Sequence, residues 1–583
     1  MGSSPGSILW PGLVAAAAVV GLALILDSAG RTSATYDEPT YLRVAARWWR
    51  TGEQAEITRM GSPLTFWKIQ HAPVFWALDL AGRGDLIDDP IRRQAELLPI
   101  VRMGSAWIWL VGLLLTAGWS RALYGERAMA MSAWLFALSP NLLAHGGLVT
   151  MEMPIVACTT AVLLLFWLFR ATGRRRWLWA SAAAAGLAFS CKSTAVLLPP
   201  ILAAAWWIDE LFRAGRVGIA SRTSRIACTM AGFVAVMLAA DVLVTGFAMM
   251  PLSGSTGEHP SISARFGARL GPLLRAIYEA RWPQDWVGFA TQVHHQMSGG
   301  PSYLLGERRM TGWRSYYLIA MAVKVPATFW LLIAGRAALE PRLRRRTITA
   351  GRDPHDAIVP VMVLLFVTVA SLGSTRNYGI RYMLPMAPAA IVWVSGLSAG
   401  LGPSRSLGDT PGGRGTGKVA VAPAAIGCTP IVGLGLLGQA IAVASSHPFE
   451  LTYFNAIAGG PIGGRRILAD SNLDWGQGLR GLARLQRDRP ELRDLTLYYF
   501  GDTNPAYYGV SGVLHVVNAV DDHSLLPPLR TVRTRYVAVS ASLQHGPWGP
   551  EGFFRELDGM RPTCLTDDTT IAVYLWIKVG EKP

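Results

Sequence analysis

Charged residues are scarce in this chain. Only 16% of its 583 residues are Asp, Glu, Lys or Arg, where a soluble globular protein carries about a quarter. That deficit excludes a water-soluble globule of this size. Cysteine is also rare. Four of the five (Cys158, Cys191, Cys228 and Cys428) lie in or beside apolar blocks without metal-ligand spacing, and Cys564 stands alone near the C-terminal end. A zinc module is therefore excluded, as is an internal disulfide in that region. The first apolar block, 8–26, has neither a charged n-region nor an Ala-x-Ala site and reads as a retained helix. Two nucleotide-like motifs lack their context. Gly433 to Gly438 spells GxGxxG inside an apolar block with no strand before it, which suits helix-packing glycines. Gly412 to Lys418 approximates GxxxxGK, but Val419 replaces the Ser/Thr that would reach magnesium, so it reads as a flexible linker. No internal repeat is present.

What the chain has is apolar sequence, 51% of residues, in long uninterrupted blocks. A membrane core of about 30 Å needs about 20 such residues per helix. Hydropathy gives about eleven spans, near 8–26, 100–119, 127–144, 153–169, 177–191, 195–212, 226–249, 315–335, 357–372, 382–400 and 419–444. The net charge of +16 comes largely from arginines in short loops. With a cytoplasmic N-terminus, the loops 120–127, 170–176, 213–225, 336–352 and 402–418 face inward and hold roughly nineteen Lys/Arg. The opposite short loops hold about three, which is the bias of the positive-inside rule. The basic residues form no phosphate-tracking stripe, so no nucleic acid is expected. The expected locale is a plasma (inner) membrane crossed many times, with 27–99, 250–314 and everything from Ser445 outside.

The expected organisation is a membrane domain, 1–444, whose first outer loop is 27–99, and a C-terminal extracytoplasmic α/β domain, 445–583. Loops this long are usually functional. The first one holds an amphipathic stretch, 41–50, with Trp48 and Trp49 suited to an interface. The tail has turn signals at Gly459-Gly460-Pro461 and strand-like runs at 495–500, 535–540 and 570–578.

Just outside the first span lies Thr35-Tyr36-Asp37-Glu38-Pro39-Thr40-Tyr41. Like charge and partial desolvation raise a carboxylate's pKa, which suits a general base. The same residues also suit a helix start, with Asp37 as the cap and Pro39 in the first turn. The expected orientation puts further polar groups on that side: Gln70-His71-Ala72-Pro73, His145, Glu152, Lys192, Arg376, Arg381 and Tyr382. Each alone could be a snorkelling side chain. Together they supply what transfer from a phosphate-linked donor requires, cations for the leaving phosphate and a carboxylate for the acceptor proton. Lys324 and Asp241 fall in mid-span, where an ionisable group is either functional or paired with its neighbour.

These motifs resemble the GT-C fold glycosyltransferases, in particular the protein O-mannosyltransferase and lipid A aminoarabinose transferase branch. Asp37-Glu38 resembles the acidic motif of the first loop, and Pro140 to His145 with Glu152-Met153-Pro154 the second acidic loop. Lys192-Ser193-Thr194 is similar to a Lys-x-Thr after the fifth span, and Arg381-Tyr382-Met383-Leu384-Pro385 to an RYxLP segment. His447-Pro448 to Asn455, then Asp470-Ser471-Asn472-Leu473-Asp474-Trp475-Gly476-Gln477, resembles a tail motif of bacterial phospholipid-carrier-dependent members. The resemblance implies a polyprenyl-phosphate sugar donor, inversion at the anomeric carbon and metal dependence that varies by branch. It makes Asp37 the base with Glu38 in support, and gives the donor phosphate to Lys192, Arg381, Tyr382 and Arg376. Glu152 stands where Asp is commoner, and Gln70-His71-Ala72-Pro73 departs from the usual acidic-His-Pro-Pro form. Should a divalent ion bind, His71 and Glu152 are its first candidates. Asp470 and Asp474, four apart, would share a face if helical. The expected function is transfer of a sugar to an acceptor (protein, lipid or glycan) at the outer membrane face. The competing functions are a flippase for lipid-linked saccharides, which calls for more mid-bilayer polar groups and paired repeats, and a non-catalytic scaffold.

Overall fold

The computed structural model describes residues 6–59, 61, 67–214, 218–252, 273–349, 356–401, 423–518 and 526–576. The loop 402–418, with its GxxxxGK-like sequence, falls outside them. Every apolar block expected to span carries a helix. By length and hydropathy, 5 helices among the described residues can cross a membrane, or up to 6 if one bent pair counts as a single span. Ile358–Gly373, Leu384–Ala399 and Pro430–Ser446 are apolar but shorter.

The bent pair shows how sequence forces geometry. Tyr316–Lys324 and Ala327–Pro341 meet at 106°. Pro326 has no N–H to donate and drives Val325 into extended backbone (φ −88, ψ 135). The carbonyls freed by the break are met by side chains. Asn455 Nδ2 donates to Ala322 O (2.7 Å) and Val325 O (2.8 Å), and Asn141 Nδ2 donates to Lys324 O (2.8 Å). The GxGxxG stretch is helix packing: a Cβ added at Gly435 or Gly438 would run into Leu332 and Thr328 of the facing helix.

Outside the helical body are an antiparallel pair, β1 (Met249–Pro251) with β2 (Arg281–Pro283), and a small hairpin, β3 (Ser302–Leu304) with β4 (Glu307–Arg309). Beyond Ser446 lies a sheet of β5 (Leu495–Phe500), β6 (Val513–Val517), β7 (Tyr536–Ser540), β8 (Cys564–Leu565) and β9 (Ile571–Leu575), in the order β6-β5-β7-β9-β8. β5 runs parallel to β6 and β7, and β9 runs antiparallel to β7 and β8. The expected runs at 495–500, 535–540 and 570–578 become β5, β7 and β9. This sheet does not stand apart. Its Leu497, Tyr499 and Val573 share a core with Leu42 of Glu38–Thr51, Phe75 of Trp67–Leu80, and Val149 and Met151 just before Glu152–Thr172. That shared core packs the tail against the helix that Asp37 opens.

Candidate active site

Asp37 opens the helix Glu38–Thr51, but its side chain makes no capping bond. Its Oδ2 instead accepts from Arg381 Nη1 at 3.0 Å, across 344 positions of sequence. Arg381 sits on the short turn Ile380–Tyr382, and the same Nη1 lies 3.5 Å from Glu152 Oε1. Glu152 is the first residue of Glu152–Thr172, where the positive end of the helix favours a carboxylate. Its Oε1 also accepts from Lys192 Nζ at 3.0 Å. Lys192 follows the last turn of Arg175–Cys191 in extended backbone, which swings its side chain towards the ring of Tyr382, 4.2 Å away. Carboxylates and cations thus alternate: Asp37, Arg381, Glu152, Lys192.

These four and Tyr382 line one cavity of about 660 Å³. Most of the remaining wall is apolar, with Val196 and Leu197 at the start of one apolar helix, Phe366 and Val369 on Ile358–Gly373, and Phe289 on Gln284–Ser298. A charged wall and a hydrocarbon wall in one cavity of this size fit a ligand with an anionic head and an apolar tail. Burial raises the Asp37 carboxyl above its usual range, with Glu152 adding to the rise while Arg381 and Lys192 oppose it. Tyr36, Tyr41 and Tyr317 also line the cavity. Sequence reasoning passed over all three, although Tyr36 and Tyr41 flank the acidic pair.

Other expected residues lie elsewhere. Glu38 points away from the cavity into a fully buried pair with Arg102 (2.7 Å) and also accepts from Thr35 N and Val149 N. Arg102 is not among the expected site residues; its signal is a cation inside the expected span 100–119. Arg376 donates from Nε to the Tyr378 hydroxyl (3.0 Å) and does not line the cavity. His145 is buried edge-on to Trp475, with ring centroids 6.3 Å apart. Lys324 does not pair with Asp241. Its Nζ donates to Leu451 O (2.9 Å) and Asn472 O (2.6 Å), while Asp241 accepts from Trp286 Nε1 (3.2 Å). Neither Lys324 nor Asp241 lines the cavity.

Asp470 and Asp474 share no helix face, because Asp470–Asn472 is a short 3-10 turn entered through a positive φ of 56 at Asp470. Asp470 accepts from Trp548 Nε1 (3.3 Å), and Asp474 accepts from Ser542 N (2.8 Å) and Gly476 N (3.1 Å). Burial pushes these carboxyls up to about 6 and about 7.

The residues present do not fit the expected metal pair. His71 is buried beside Phe75 and does not line the cavity, and Glu152 is already engaged by two cations. Among the described residues, no group of three or more His, Cys, Asp or Glu is placed to hold a metal ion.

Residues 98–244, about a quarter of the chain, match the family model for dolichyl-phosphate-mannose-protein mannosyltransferases. The match covers the stretch that holds Glu152 and Lys192, and the ordered motifs of the sequence resemble the same class of membrane glycosyltransferases. Among solved structures it is similar to ArnT from Cupriavidus metallidurans. The apo form is 14% identical over 97% of this chain and 98% of that one, and the form bound to undecaprenyl phosphate is 13% identical over 98% and 99%; both have TM-score 0.46. It is also similar to the Archaeoglobus fulgidus oligosaccharyltransferase, at 14% identity over 74% of this chain and 55% of that one, with TM-score 0.38. No curated protein sequence matched the chain.

Proposed function

We propose that the protein transfers a sugar from a polyprenyl-phosphate donor to an acceptor at the extracytoplasmic face of the membrane. The observation that carries this reading is the cavity wall on which Asp37, Arg381, Glu152 and Lys192 alternate beside a hydrocarbon lining. The polyprenyl chain lies along the apolar wall, and Lys192 and Arg381 hold the phosphate, with Tyr382 beneath both. Asp37 takes the proton of the acceptor nucleophile as that atom bonds to the anomeric carbon from the face opposite the phosphate. The carbon–oxygen bond to phosphate breaks, its electron pair stays on the phosphate oxygen, and the two cations stabilise that charge. The displacement inverts the anomeric centre. Glu152 holds both cations in place. Glu38 supports the site through Arg102 instead of touching a reactant. The arginine bias supports an N-terminus inside and a tail outside, and the tail sheet is the extracytoplasmic domain.

The test is transfer of labelled sugar by purified protein from a panel of polyprenyl-phosphate sugars. Transfer from at least one donor, with loss of the lipid phosphosugar, supports the reading. Intact donor relocated between leaflets of a proteoliposome, with no bond broken, would indicate a flippase instead.

A further inference from the structure

The segment 470–477, Asp470-Ser471-Asn472-Leu473-Asp474-Trp475-Gly476-Gln477, has no part in the chemistry proposed above, yet its polar groups bond to the backbone on both sides of the site. On the Arg381 side, Ser471 Oγ donates to Tyr378 O, and Asn472 Oδ1 accepts from Ile380 N at 2.9 Å. Gly379, between them, has φ 108, and a Cβ there would strike Ser471 Oγ. The Arg381 guanidinium carbon lies 4.3 Å from the centroid of the Trp475 ring. On the Asp37 side, Tyr36 N donates to Trp475 O at 2.6 Å and Ser33 N donates to Gln477 O at 3.0 Å.

The segment is itself held rigid. Gln477 Oε1 accepts from Trp475 N (2.8 Å), and its Nε2 donates to Leu473 O (2.7 Å). Asp474 ties the segment to Ser542 beside the sheet, and Lys324 ties it to the helical body through Asn472 O. Arg381 and Asp37, far apart in sequence, therefore hang from one eight-residue bracket.

We infer that 470–477 is a positioning element for the transfer site, with Trp475 its central positioning residue. The flat indole fixes the plane of the Arg381 guanidinium through a cation–π contact, while the Trp475 carbonyl, bonded to Tyr36 N, fixes the turn that leads into Asp37. Trp475 acts through these two groups and touches no reactant. The inference rests on the roles proposed for Arg381 and Asp37, and extends them to a part of the chain outside the helical body.

The experiment compares Trp475→Leu and Trp475→Phe in the full-length protein in nanodiscs. A misplacement of about 1 Å can cost about 10²-fold in rate. Trp475→Leu should lower kcat by about 10- to 100-fold, with a smaller rise in donor KM because Arg381 also holds the phosphate, whereas Trp475→Phe, which keeps an aromatic face, should retain most of the activity. Equal losses in both variants, or a loss confined to KM, would overturn the inference. If Trp475→Leu does not fold, Ser471→Ala removes one hydroxyl from the bracket and should lower kcat in the same way; unchanged kcat would count against it. A cryo-EM map of the Leu variant separates the inference from the reading beneath it. Whatever the donor proves to be, Arg381 should have left Asp37; an Arg381 still at 3.0 Å from it contradicts the bracket, and a wild type that transfers nothing contradicts only the proposed function.

Discussion

At the scale of single residues, removing the Glu38 charge strands a guanidinium, because both Glu38 and Arg102 have side chains with no exposure. Breaking such a pair costs about 3–5 kcal/mol. Glu38→Gln should therefore lower the melting temperature markedly, whereas Asp37→Asn, at a partly open cavity wall, should leave it nearly unchanged; scanning calorimetry of both variants checks this. The sequence offered no way to assign these different environments to two adjacent acids, since the partner that decides the matter is 64 positions away. On the proposed mechanism, the acid limb of the rate profile belongs to Asp37. The charged and titratable groups facing it are Arg381, Glu152, Lys192, Tyr41 and Asp470. Because the base must be ionised, kcat/KM should fall on acidification at a pH above the usual carboxylate range. Lys192 favours the ionised form, so Lys192→Met should move that limb to higher pH. A limb that stays in place would remove Asp37 from the role of base.

Elements set the next scale, and the join between tail and body is sensitive to pH. Burial raises the Asp474 carboxyl to about 7 and that of Asp470 to about 6. Glu450, with Asp27, raises His447 above its usual value. The sign is the same for all three. Each group binds its proton more tightly when folded, so its contribution is complete below its unfolded pKa and is lost as pH rises through the folded value. Thermal stability should therefore decline from about pH 4 to pH 7 as the two aspartates ionise, with His447 extending the decline above that, and Asp474→Asn should flatten the part between about pH 4 and pH 7. A slope unchanged in the variant would contradict the assignment. Elements were partly legible in advance. β5, β7 and β9 were visible as runs of β-branched and aromatic residues, but the Val513–Val517 strand was passed over. The break at Pro326 could be read from the proline rule, although Asn455, which satisfies it, lies 130 positions on.

At the scale of the whole molecule, the site is assembled from four separate stretches of chain, around 37, 152, 192 and 381. They could be anticipated because the arginine bias suggests one membrane side for all of them and the motif order gives their sequence. The apolar half of the cavity, the departure of Arg376 and His71 from it and the bracket at 470–477 could not. Each depends on helix packing or on contacts between the tail and the body, which carry no local pattern. The central claim is that Asp37 accepts the acceptor's proton during transfer from a lipid-linked phosphosugar. Its most direct test is single-turnover transfer from a radiolabelled polyprenyl-phosphate sugar by Asp37→Asn beside wild type, with donor binding measured on the same preparations. The account predicts that binding is retained and transfer falls by about 10²–10⁴-fold, the worth of a general base. Transfer by Asp37→Asn at the wild-type rate would contradict it.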